Sequence, residues 1–387
     1  MPVINRVADL ADEVTAWRRD FHEHPELLYE VHRTAGAVAD RLSAFGVDEV
    51  ATGIGRTGVV GVIKGRSDRS GKVIGLRADM DALPIEEATD VPYKSRTPGV
   101  MHACGHDGHT AMLLGAAKYL AETRKFDGTA VVIFQPAEEG GAGARAMLDD
   151  GVLDRFGVQE VYGLHNMPGI PVGAFAIRPG PMMAAADRFT IRLEGKGGHA
   201  ARPHECVDTV VVAAHLVQAL QTVVARNVDP LESAVISTCS VKTGDTFNVI
   251  PQIATLLGTV RTLTEGVRNL CEERIRAIVQ TLPPVFGATA TIEYNRGYPV
   301  TRNDPERTRF LAEVAADVGS AVDTGAAPLM GSEDFAFMLE ERPGAYIFLG
   351  NGDTAGVHHP AYDFNDAAIP YGVSLWARIV ETGMPAR

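Results

Sequence analysis

Apolar positions along the chain follow two different patterns, and the change from one to the other predicts two kinds of architecture. In the first half, short runs such as residues 129–134 are apolar throughout, which is typical of strands buried on both faces of a parallel sheet. Apolar residues at helical spacing, first between Ile4 and Phe21, predict amphipathic helices among these strands. From about Asp187 polar and apolar residues alternate, as in residues 188–194, and this alternation predicts a sheet with one face in water.

The alternating region has α/β character on both sides, so it is predicted to be a module inserted into one α/β domain. Its predicted elements are four strands and two helices: strands 188–194, 234–243, 252–263 and 288–294, and helices 205–224 and 265–281. After Arg296 the first pattern resumes. We therefore expect an α/β domain formed by residues 1–186 and 296–387, with a compact α+β module of residues 187–295 between its two parts.

Composition and charge restrict the classes of protein to which the chain can belong. A hydrophobic content of 45% and a charged content of 22% are typical of a soluble globular protein. The net charge of -13 argues against nucleic acid or an anionic membrane as a partner, because both are polyanions. A run of about eighteen apolar residues and the layout of a signal peptide are both missing. The four cysteines show no paired spacing, so we expect a cytoplasmic protein without disulfides.

The densest group of metal-binding side chains lies in residues 101–109, where histidines, a cysteine and an aspartate are interrupted by glycines. Thiolate and imidazole together favour borderline divalent ions such as Zn²⁺, Co²⁺, Ni²⁺ or Mn²⁺ over Mg²⁺ or Ca²⁺. Cys104 and His106 cannot share one face of a helix, but they point the same way on an extended or looping segment. A helix is predicted to follow, over the apolar run 111–117. The alternative interpretation is a histidine-rich turn with one buried cysteine.

Further candidate residues stand where predicted buried strands end. They are Asp79, the adjacent pair Glu138 and Glu139, and His165. The carboxyl ends of such strands are where α/β folds place their chemistry. Of two adjacent carboxylates, one can ligate an ion while the other addresses a bound water. Each candidate also has a simpler interpretation: a solvated turn for Asp79, an acidic helix N-terminus for the glutamates, and a hydrogen-bonded core histidine for His165.

Further histidines, which lie outside these strand ends, are also candidate site residues. A glycine-rich loop carries His199, and a later loop carries His358 and His359 before a proline. His22 and His24 stand at the end of the first predicted helix, and we interpret them as partners of the helix dipole rather than as ligands.

These residues carry a resemblance to a known family. The sequence resembles the dinuclear metallohydrolases of the aminoacylase/carboxypeptidase family, and within it the amidohydrolase branch that contains hippurate hydrolase, N-acyl-amino-acid amidohydrolases and auxin-conjugate hydrolases. The segments that match keep the family's order over nearly the whole chain: residues 76–85, 101–109, 135–141, 163–166, 195–204, 247–251, 258–262 and 357–360. The resemblance implies a metallopeptidase-type α/β catalytic domain with a mainly parallel central sheet. It also implies that the inserted module is a ferredoxin-like lid and dimerisation domain.

The resemblance further implies roles for individual residues. It implies that five side chains ligate two divalent ions: Cys104, His106, Glu139, His165 and His358. His358 is chosen over His359 because the family's ligand stands two residues before the proline. Glu138 would be the general base and acid, and His199 would reach the active site of the neighbouring subunit to stabilise the oxyanion. Asn248 and Arg261 would hold the substrate and its free carboxylate, and Asp79 would support the ligands from behind.

The implied activity is hydrolysis of the amide bond of an N-acyl-L-amino acid by a metal-activated water, in a homodimer or higher homo-oligomer. The metals that suit these ligands are Mn²⁺, Zn²⁺, Co²⁺ and Ni²⁺. Two alternatives remain from the sequence. One is a dipeptidase or metallocarboxypeptidase that acts on small peptides, and the other is a metal-dependent binding protein without turnover. The presence of Glu138 argues against the second, because a binding site needs no base beside its ligands.

Overall fold

The protein is described here by a computed structural model, and the structure describes residues 3–386. The chain divides into two compact units. Unit 1 comprises the described residues up to Met182, Arg302–Ala327 and the described residues from Asp334 onward. Unit 2 comprises Met183–Thr301 and Pro328–Glu333. The division into an α/β domain and an inserted module remains a prediction, whose boundaries differ from these units by a few residues and by the short second segment of unit 2.

Helices occur along the whole chain. In chain order they are α1 Asn5–Glu23, α2 His32–Ala44, α3 His106–Thr123, α4 Gly143–Asp149, α5 Val152–Arg155, α6 Thr209–Arg226, α7 Glu265–Val285, α8 Pro305–Val318, α9 Ala336–Glu341 and α10 Ile369–Gly383. Helix α8 begins with a side-chain cap from Asp304 and a proline in its first turn, both of which favour helix initiation.

Strands are equally spread. In chain order they are β1 Glu49–Ile54, β2 Gly58–Lys64, β3 Val73–Asp79, β4 Thr129–Gln135, β5 Glu160–Pro168, β6 Ala174–Ala176, β7 Gly180–Met183, β8 Ala185–Glu194, β9 Gly198–His199, β10 Ala234–Lys242, β11 Val249–Ile250, β12 Ile253–Thr262, β13 Thr289–Arg296, β14 Thr301–Asn303, β15 Ala321–Asp323 and β16 Gly344–Gly352. The polar strand β1 was not predicted from the sequence. It pairs with β2 at the edge of the sheet, where an apolar run is not required.

Unit 1 is organised around an eight-stranded sheet with the order β1-β2-β4-β3-β5-β16-β6-β15. The central strands β4, β3, β5 and β16 are parallel neighbours, and antiparallel pairs occur toward both edges. This arrangement confirms the predicted mainly parallel central sheet. Almost every residue of β3, β4 and β16 is buried, because helices cover the sheet and exclude water from both faces.

The register of the central strands places their carboxyl ends at one edge. Asp79 at the end of β3 lies directly opposite Gln135 at the end of β4. His165 near the end of β5 lies opposite Phe348 of β16. Side chains that follow these strands in the sequence therefore lie close together in space.

Helix α3 begins five residues earlier than the apolar run in the sequence suggested. His106 is its first residue, and Gly105 precedes it in the left-handed conformation with φ of 84°. The apolar run predicted the helix but not its start, because the first turn consists of His106, Asp107, Gly108 and His109. These polar residues are buried, so other side chains must satisfy them.

Unit 2 contains a four-stranded antiparallel sheet with the order β10-β12-β8-β13. Every second residue of β8 is buried, as the alternating sequence predicted. The inward residues pack with the buried faces of α6 and α7 in one hydrophobic core. The opposite face of the sheet carries the polar side chains of the same strands, including Arg188 and Arg192 of β8, which are exposed.

One helix among the described residues, α6, is long and apolar enough to cross a membrane by length and composition alone. Asp208 caps its first turn, and its buried residues Val212, Leu216 and Leu220 belong to the core of unit 2. The core helix of a soluble protein passes the same test, so this helix is weak evidence for a membrane span.

Candidate metal centre

The loop Cys104-Gly105-His106 is fixed from behind by buried side chains of unit 1. A Cβ atom on Gly105 would lie 2.2 Å from Asn166 Nδ2 and 2.5 Å from Tyr362 Oη. Asn166 Nδ2 donates to the Cys104 carbonyl at 2.6 Å, and Tyr362 Oη donates to Asn166 Oδ1 at 2.7 Å. Glycine is required here both for the positive φ and for the close approach. Cys104 and His106 are therefore presented from a rigid turn.

The structure brings the five predicted ligands together in two overlapping groups. In one group, ligand atoms of Cys104, His106 and His165 all lie within 4.8 Å of one another. In the other, ligand atoms of Cys104, Glu139 and His358 satisfy the same distance. Because Cys104 belongs to both groups, its sulfur lies between two sets of donors. Two adjacent cation positions that share one thiolate would fit this arrangement.

The Nε2 atom of His165 is the ring nitrogen that can bind a metal ion. Its Nδ1 donates to the Asn166 carbonyl at 2.5 Å, so in the neutral ring Nε2 carries a lone pair. That Nε2 lies 3.3 Å from Cys104 Sγ. Burial and the neighbouring His109 hold the pKa of His165 well below its usual value, which keeps the ring neutral as a ligand must be.

The ring nitrogens of His106 are consistent with a cation site, because they are buried without hydrogen-bond partners among the described residues. Buried polar atoms nearly always have partners, so this ring fits a site that binds an additional group. Burial alone would lower the pKa of His106, but Asp79 and Cys104 raise it well above its usual value. A local excess of negative charge of this kind also attracts a divalent cation.

His109 lies beside the ligands but has both nitrogens occupied. Its Nδ1 donates to Asp79 Oδ1 at 2.6 Å, and its Nε2 accepts from the Asn166 amide at 2.9 Å. The ring stacks on His106 with 5.4 Å between centroids. Both ring nitrogens of His109 are therefore engaged in hydrogen bonds, although the residue lies within the group of potential ligands that includes Asp79 and His106. Sequence spacing could not distinguish it from His106.

Glu138 and Glu139 lie in a tight turn after β4. Ala137 has a positive φ of 54°, and the amides of Glu138 and Glu139 donate to the carboxylate of Asp81 at 2.9 and 3.1 Å. The buried Asp81 thus fixes the backbone of both glutamates. Their side chains have different neighbours, because Glu139 belongs to the group with Cys104 and His358, while both glutamates lie beside His106.

His358 and His359, the last histidine pair, differ in backbone geometry and in their neighbours. His358 has a positive φ of 65°, and its amide donates to the Ala103 carbonyl at 2.7 Å, next to Cys104. His358 Nε2 lies 3.2 Å from Glu139 Oε1. His359 instead accepts from the Ala361 amide through Nδ1 at 3.0 Å, and among the described residues it joins no group of potential ligands. The geometry therefore supports the choice of His358.

Asp79 lies behind the ligands and is fully buried. It accepts from His109 at 2.6 Å and from Arg77 Nη1 at 2.7 Å. Burial would raise the pKa of Asp79, but His106, Arg77 and His109 together hold it well below its usual value. The carboxylate is therefore ionised, and it accepts a hydrogen bond from His109, whose ring stacks on His106.

The remaining predicted residues lie in unit 2. His199 is exposed on β9, and its Nδ1 accepts from the Ala201 amide at 3.0 Å, so the neutral ring carries its proton on Nε2. Asn248 is also exposed, and its carbonyl accepts from the Ala200 amide at 3.1 Å, which brings it next to His199. Arg261 on β12 is half-buried and donates to Thr259 Oγ1 and the Val260 carbonyl.

Sequence reasoning missed a buried ionic cluster on α1. His22, in the last turn of α1, donates from Nδ1 to Asp107 at 2.8 Å and lies 3.3 Å from Glu87, so it has two carboxylate partners besides the helix dipole. Arg18 Nε lies 3.0 Å from Asp107, and its Nη2 donates to Asp363 at 2.6 Å. The cluster fixes Asp107, the residue after His106. The one signal in the sequence is that Arg18 and His22, one turn apart, interrupt the apolar face of the helix with polar residues.

The fold and the site together define a hydrolase of the metallopeptidase type, with a cluster of potential metal ligands at the carboxyl edge of a mainly parallel sheet. A comparison with family models supports the same class. Residues 75–382 match the model of the peptidase family M20/M25/M40, so the chain belongs to that family of amide-bond hydrolases. This confirms the resemblance inferred from the sequence.

Relatives with described names cover nearly the whole chain. A hippurate hydrolase from Campylobacter jejuni is 44% identical over 382 residues, which are 98% of each chain. An N-acetyl-L-cysteine deacetylase from Bacillus subtilis is 42% identical and covers 94% of this chain and 86% of its own length. Among solved structures, a dinuclear metal binding peptidase of the M20 family from Bacillus subtilis has a TM-score of 0.83 and 36% identity, covering 97% of this chain and 99% of its own.

Proposed function

We propose that the protein hydrolyses the amide bond of N-acyl-L-amino acids and releases a carboxylic acid and a free amino acid. The observation that carries the proposal is the pair of donor groups that share Cys104, with Glu138 beside them. The names of the hippurate hydrolase and the N-acetyl-L-cysteine deacetylase support the substrate class, since both act on an acylated amino acid. The acyl group and the amino acid that this protein prefers are left to the experiment below.

Five residues would hold two divalent ions: Cys104, His106, Glu139, His165 and His358. When bound, such ions supply Lewis-acid activation of water at neutral pH and stabilise negative charge. The donor set of one thiolate, three imidazoles and a carboxylate suits Mn²⁺, Zn²⁺, Co²⁺ or Ni²⁺.

Glu138 would act as the base and then as the acid. Its carboxylate is buried, with 7% of the residue exposed, and it lies beside His106 and Glu139. It would take a proton from the attacking water and deliver it to the nitrogen of the leaving amine. A base of this kind contributes about 10²–10⁴-fold to the rate.

His199 would supply a hydrogen bond to the oxyanion. The Ala201 amide occupies Nδ1, so Nε2–H is a donor that points away from its own turn. One donor to a developing oxyanion is worth about 10²–10³-fold in rate. Asn248 beside it, and Arg261 through its guanidinium, would hold the substrate and its carboxylate.

The protein would act as a homodimer in which His199 serves the site of the other subunit. β10 is an edge strand of the sheet in unit 2, and its residues Val235 and Val241 are exposed, as are Val210 and Val211 on α6. An edge strand with apolar side chains favours pairing with another strand, and a second copy can supply it across a twofold axis. Mixing His199→Ala with Glu138→Ala chains should restore activity, and no recovery would contradict the role in trans.

The free state of all four cysteines supports a reducing compartment, so we also propose that the protein is cytoplasmic. The acidic net charge of -13 supports the expectation of neither nucleic acid nor anionic membrane as a partner.

The test is a hydrolysis panel with defined metal content. The protein would be stripped by a chelator, given Mn²⁺, Zn²⁺, Co²⁺ or Ni²⁺ in turn, and assayed on hippurate, N-acetyl-methionine and N-acetyl-cysteine, with Glu138→Gln as the control. Metal-restored release of a free amino acid by the wild type alone is expected. Cleavage of dipeptides with no reaction on the panel would favour the peptidase alternative, which the peptidase among the structural relatives supports. Metal binding without any hydrolysis would favour a binding protein.

A further inference from the structure

The segment that returns the chain to unit 1 after β14 and α8 makes a direct contact with the proposed base. Residues 328–333 belong to unit 2, and Asp334 is the first residue of the following part of unit 1. The backbone amide of Asp334 donates to Glu138 Oε1 at 3.3 Å. Both residues are buried, with exposed fractions of 0% and 7%. The orientation of the Glu138 carboxylate therefore depends on where the backbone of residue 334 is held.

The carboxylate of Asp334 anchors that backbone. Its Oδ1 accepts from Arg77 Nη2 at 2.9 Å and from Gln135 Nε2 at 2.8 Å. Its Oδ2 accepts from the Ala144 amide at 2.9 Å, at the start of α4. Three donors from three different segments thus fix one side chain. A buried carboxylate is stable only with such partners, and in return it holds its own backbone in place.

Arg77 connects this anchor with the ligand side of the site. Its Nε donates to Gln135 Oε1 at 2.8 Å, its Nη1 to Asp79 at 2.7 Å, and its Nη2 to Asp334. Only 1% of the residue is exposed. A planar guanidinium can make these divergent bonds at once, whereas the single ammonium of lysine cannot reproduce them.

From these contacts we propose that Asp334 is a positioning residue for Glu138 and that Arg77 is the anchor through which it acts. The inference rests on the proposed function, since it assigns Glu138 the role of base. One chain of hydrogen bonds links the base through Asp334 and Arg77 to Asp79, which supports the ligand His106 through His109. The same buried cluster therefore sets the position of the base relative to the ligands. Neither Asp334 nor Arg77 takes part in the proton transfers themselves.

The variants that test the proposal are Asp334→Asn and Arg77→Lys. Both substitutions keep a polar side chain of similar size, but each removes some of the hydrogen bonds that Asp334 and Arg77 make. We expect kcat to fall about 10–100-fold with KM within about threefold of the wild type, because a misplacement of about 1 Å can cost about 10²-fold. The double variant should lose little more than the more affected single variant, because both act through one chain of contacts.

Glu160→Gln is the matched control. Glu160 is also a buried carboxylate, with Arg307 Nε at 2.8 Å and Lys72 Nζ at 2.9 Å. It stands at the start of β5, opposite Ile74 near the start of β3, so it lies at the end of the sheet away from Asp79 and His165. Its loss should lower the melting temperature as Asp334→Asn does, but leave kcat of the metal-loaded enzyme within about twofold of the wild type.

Metal content, melting temperature and kinetics would be measured on each variant. Full metal content with a selective fall in kcat supports the proposal. Wild-type kcat in Asp334→Asn and Arg77→Lys, or a fall that added metal reverses, overturns it. An equal fall in Glu160→Gln overturns it as well, because the effect would then be one of stability.

A crystallographic measurement keeps the inference separate from the proposed function. If the wild type cleaves no substrate of the panel, the proposed function fails, and the Glu138 carboxylate can still be compared between the wild type and Asp334→Asn. A displacement of about 1 Å or more supports positioning by Asp334. An unchanged carboxylate in the variant overturns it.

Discussion

Three buried candidate residues of unit 1 and two exposed candidate residues of unit 2 differ in how they are held. Cys104, His106 and His165 are buried, and other buried side chains or backbone groups fix them. His199 and Asn248 are exposed, and the hydrogen bonds to their side chains come from within their own short segments. The buried residues of unit 1 therefore form a preorganised cluster. The exposed residues of unit 2 are hydrogen-bonding groups that are accessible to a substrate or to another protein surface.

This difference indicates which binding partner each set of residues requires: a cation for the buried cluster of unit 1, and a substrate or protein surface for the exposed residues of unit 2. A cluster with unpaired buried nitrogens, such as those of His106, gains partners when a cation binds and needs no further rearrangement. An exposed histidine has water as its partner until a substrate or another protein surface replaces that water. Substitutions in unit 1 should therefore affect metal binding or chemistry, whereas those in unit 2 should affect transition-state stabilisation without loss of metal.

The largest effect is expected for Glu138→Gln. The amide cannot accept the proton of water, so kcat should fall by about 10²–10⁴-fold while the five proposed ligands are unchanged. Elemental analysis alongside steady-state kinetics measures both quantities. Full activity in this variant would remove Glu138 as the base, and a loss of metal would instead make it a ligand.

His199→Ala is expected to cost about 10²–10³-fold in kcat, with the metal content of the wild type, because one donor to the oxyanion is lost. His204 is the matched control, since it lies a few residues away in the same segment and its side chain is 76% exposed. His204→Ala should retain kcat within about twofold. Equal losses in the two variants would indicate disruption of the loop rather than loss of a donor.

His358→Ala and His359→Ala separate the two adjacent histidines of unit 1. The loss of a residue that merely supports a ligand weakens metal binding by about 10–100-fold, so loss of His358 should weaken binding of one ion at least that much. His359→Ala should bind metal as the wild type does, because its Nδ1 is occupied by the Ala361 amide. Metal titration of the stripped proteins measures the difference, and the reverse result would exchange the two roles.

Much of unit 1 and its site could be predicted from the sequence, because residue type and position at strand ends are both local properties. Apolar runs predicted β3, β4 and β5, and the polar residues that follow them indicated the site. What could not be predicted depends on contacts between distant segments. Asn166 holds the Cys104 loop through a bond between residues 62 positions apart, and Tyr362 holds Asn166 through a bond between residues 196 positions apart, so no local sequence pattern predicts these contacts.

The buried ionic cluster behind the site shows the same limitation. His22 at the end of α1 was interpreted from its position on the helix alone, whereas its partners Asp107 and Glu87 come from 85 and 65 residues away in the chain. Asp334 is a similar case, since its sequence neighbours gave no indication that its amide would face Glu138. In unit 2, alternation predicted the longer strands, but the proximity of His199 on β9 to Asn248, the residue before β11, follows from the pairing of these two short strands.

The smallest effect is expected from His22, and it concerns stability rather than activity. Burial alone would lower the pKa of His22, but hydrogen bonds to Asp107 and Glu87 outweigh it and raise the pKa to about 9. The unfolded chain has a value of about 6.5, so the folded state binds the proton more tightly. The stabilisation, on the order of 1–3 kcal/mol, is fully present below about pH 6.5 and is lost as the pH rises through about 9. Melting temperatures of metal-free wild type and His22→Gln, measured from pH 6 to 10, should therefore converge as the pH rises.

His32→Gln is the control because the side chain of His32 is 70% exposed, and it should follow the wild type at every pH. A constant gap between wild type and His22→Gln would mean that His22 stabilises unit 1 as a neutral ring.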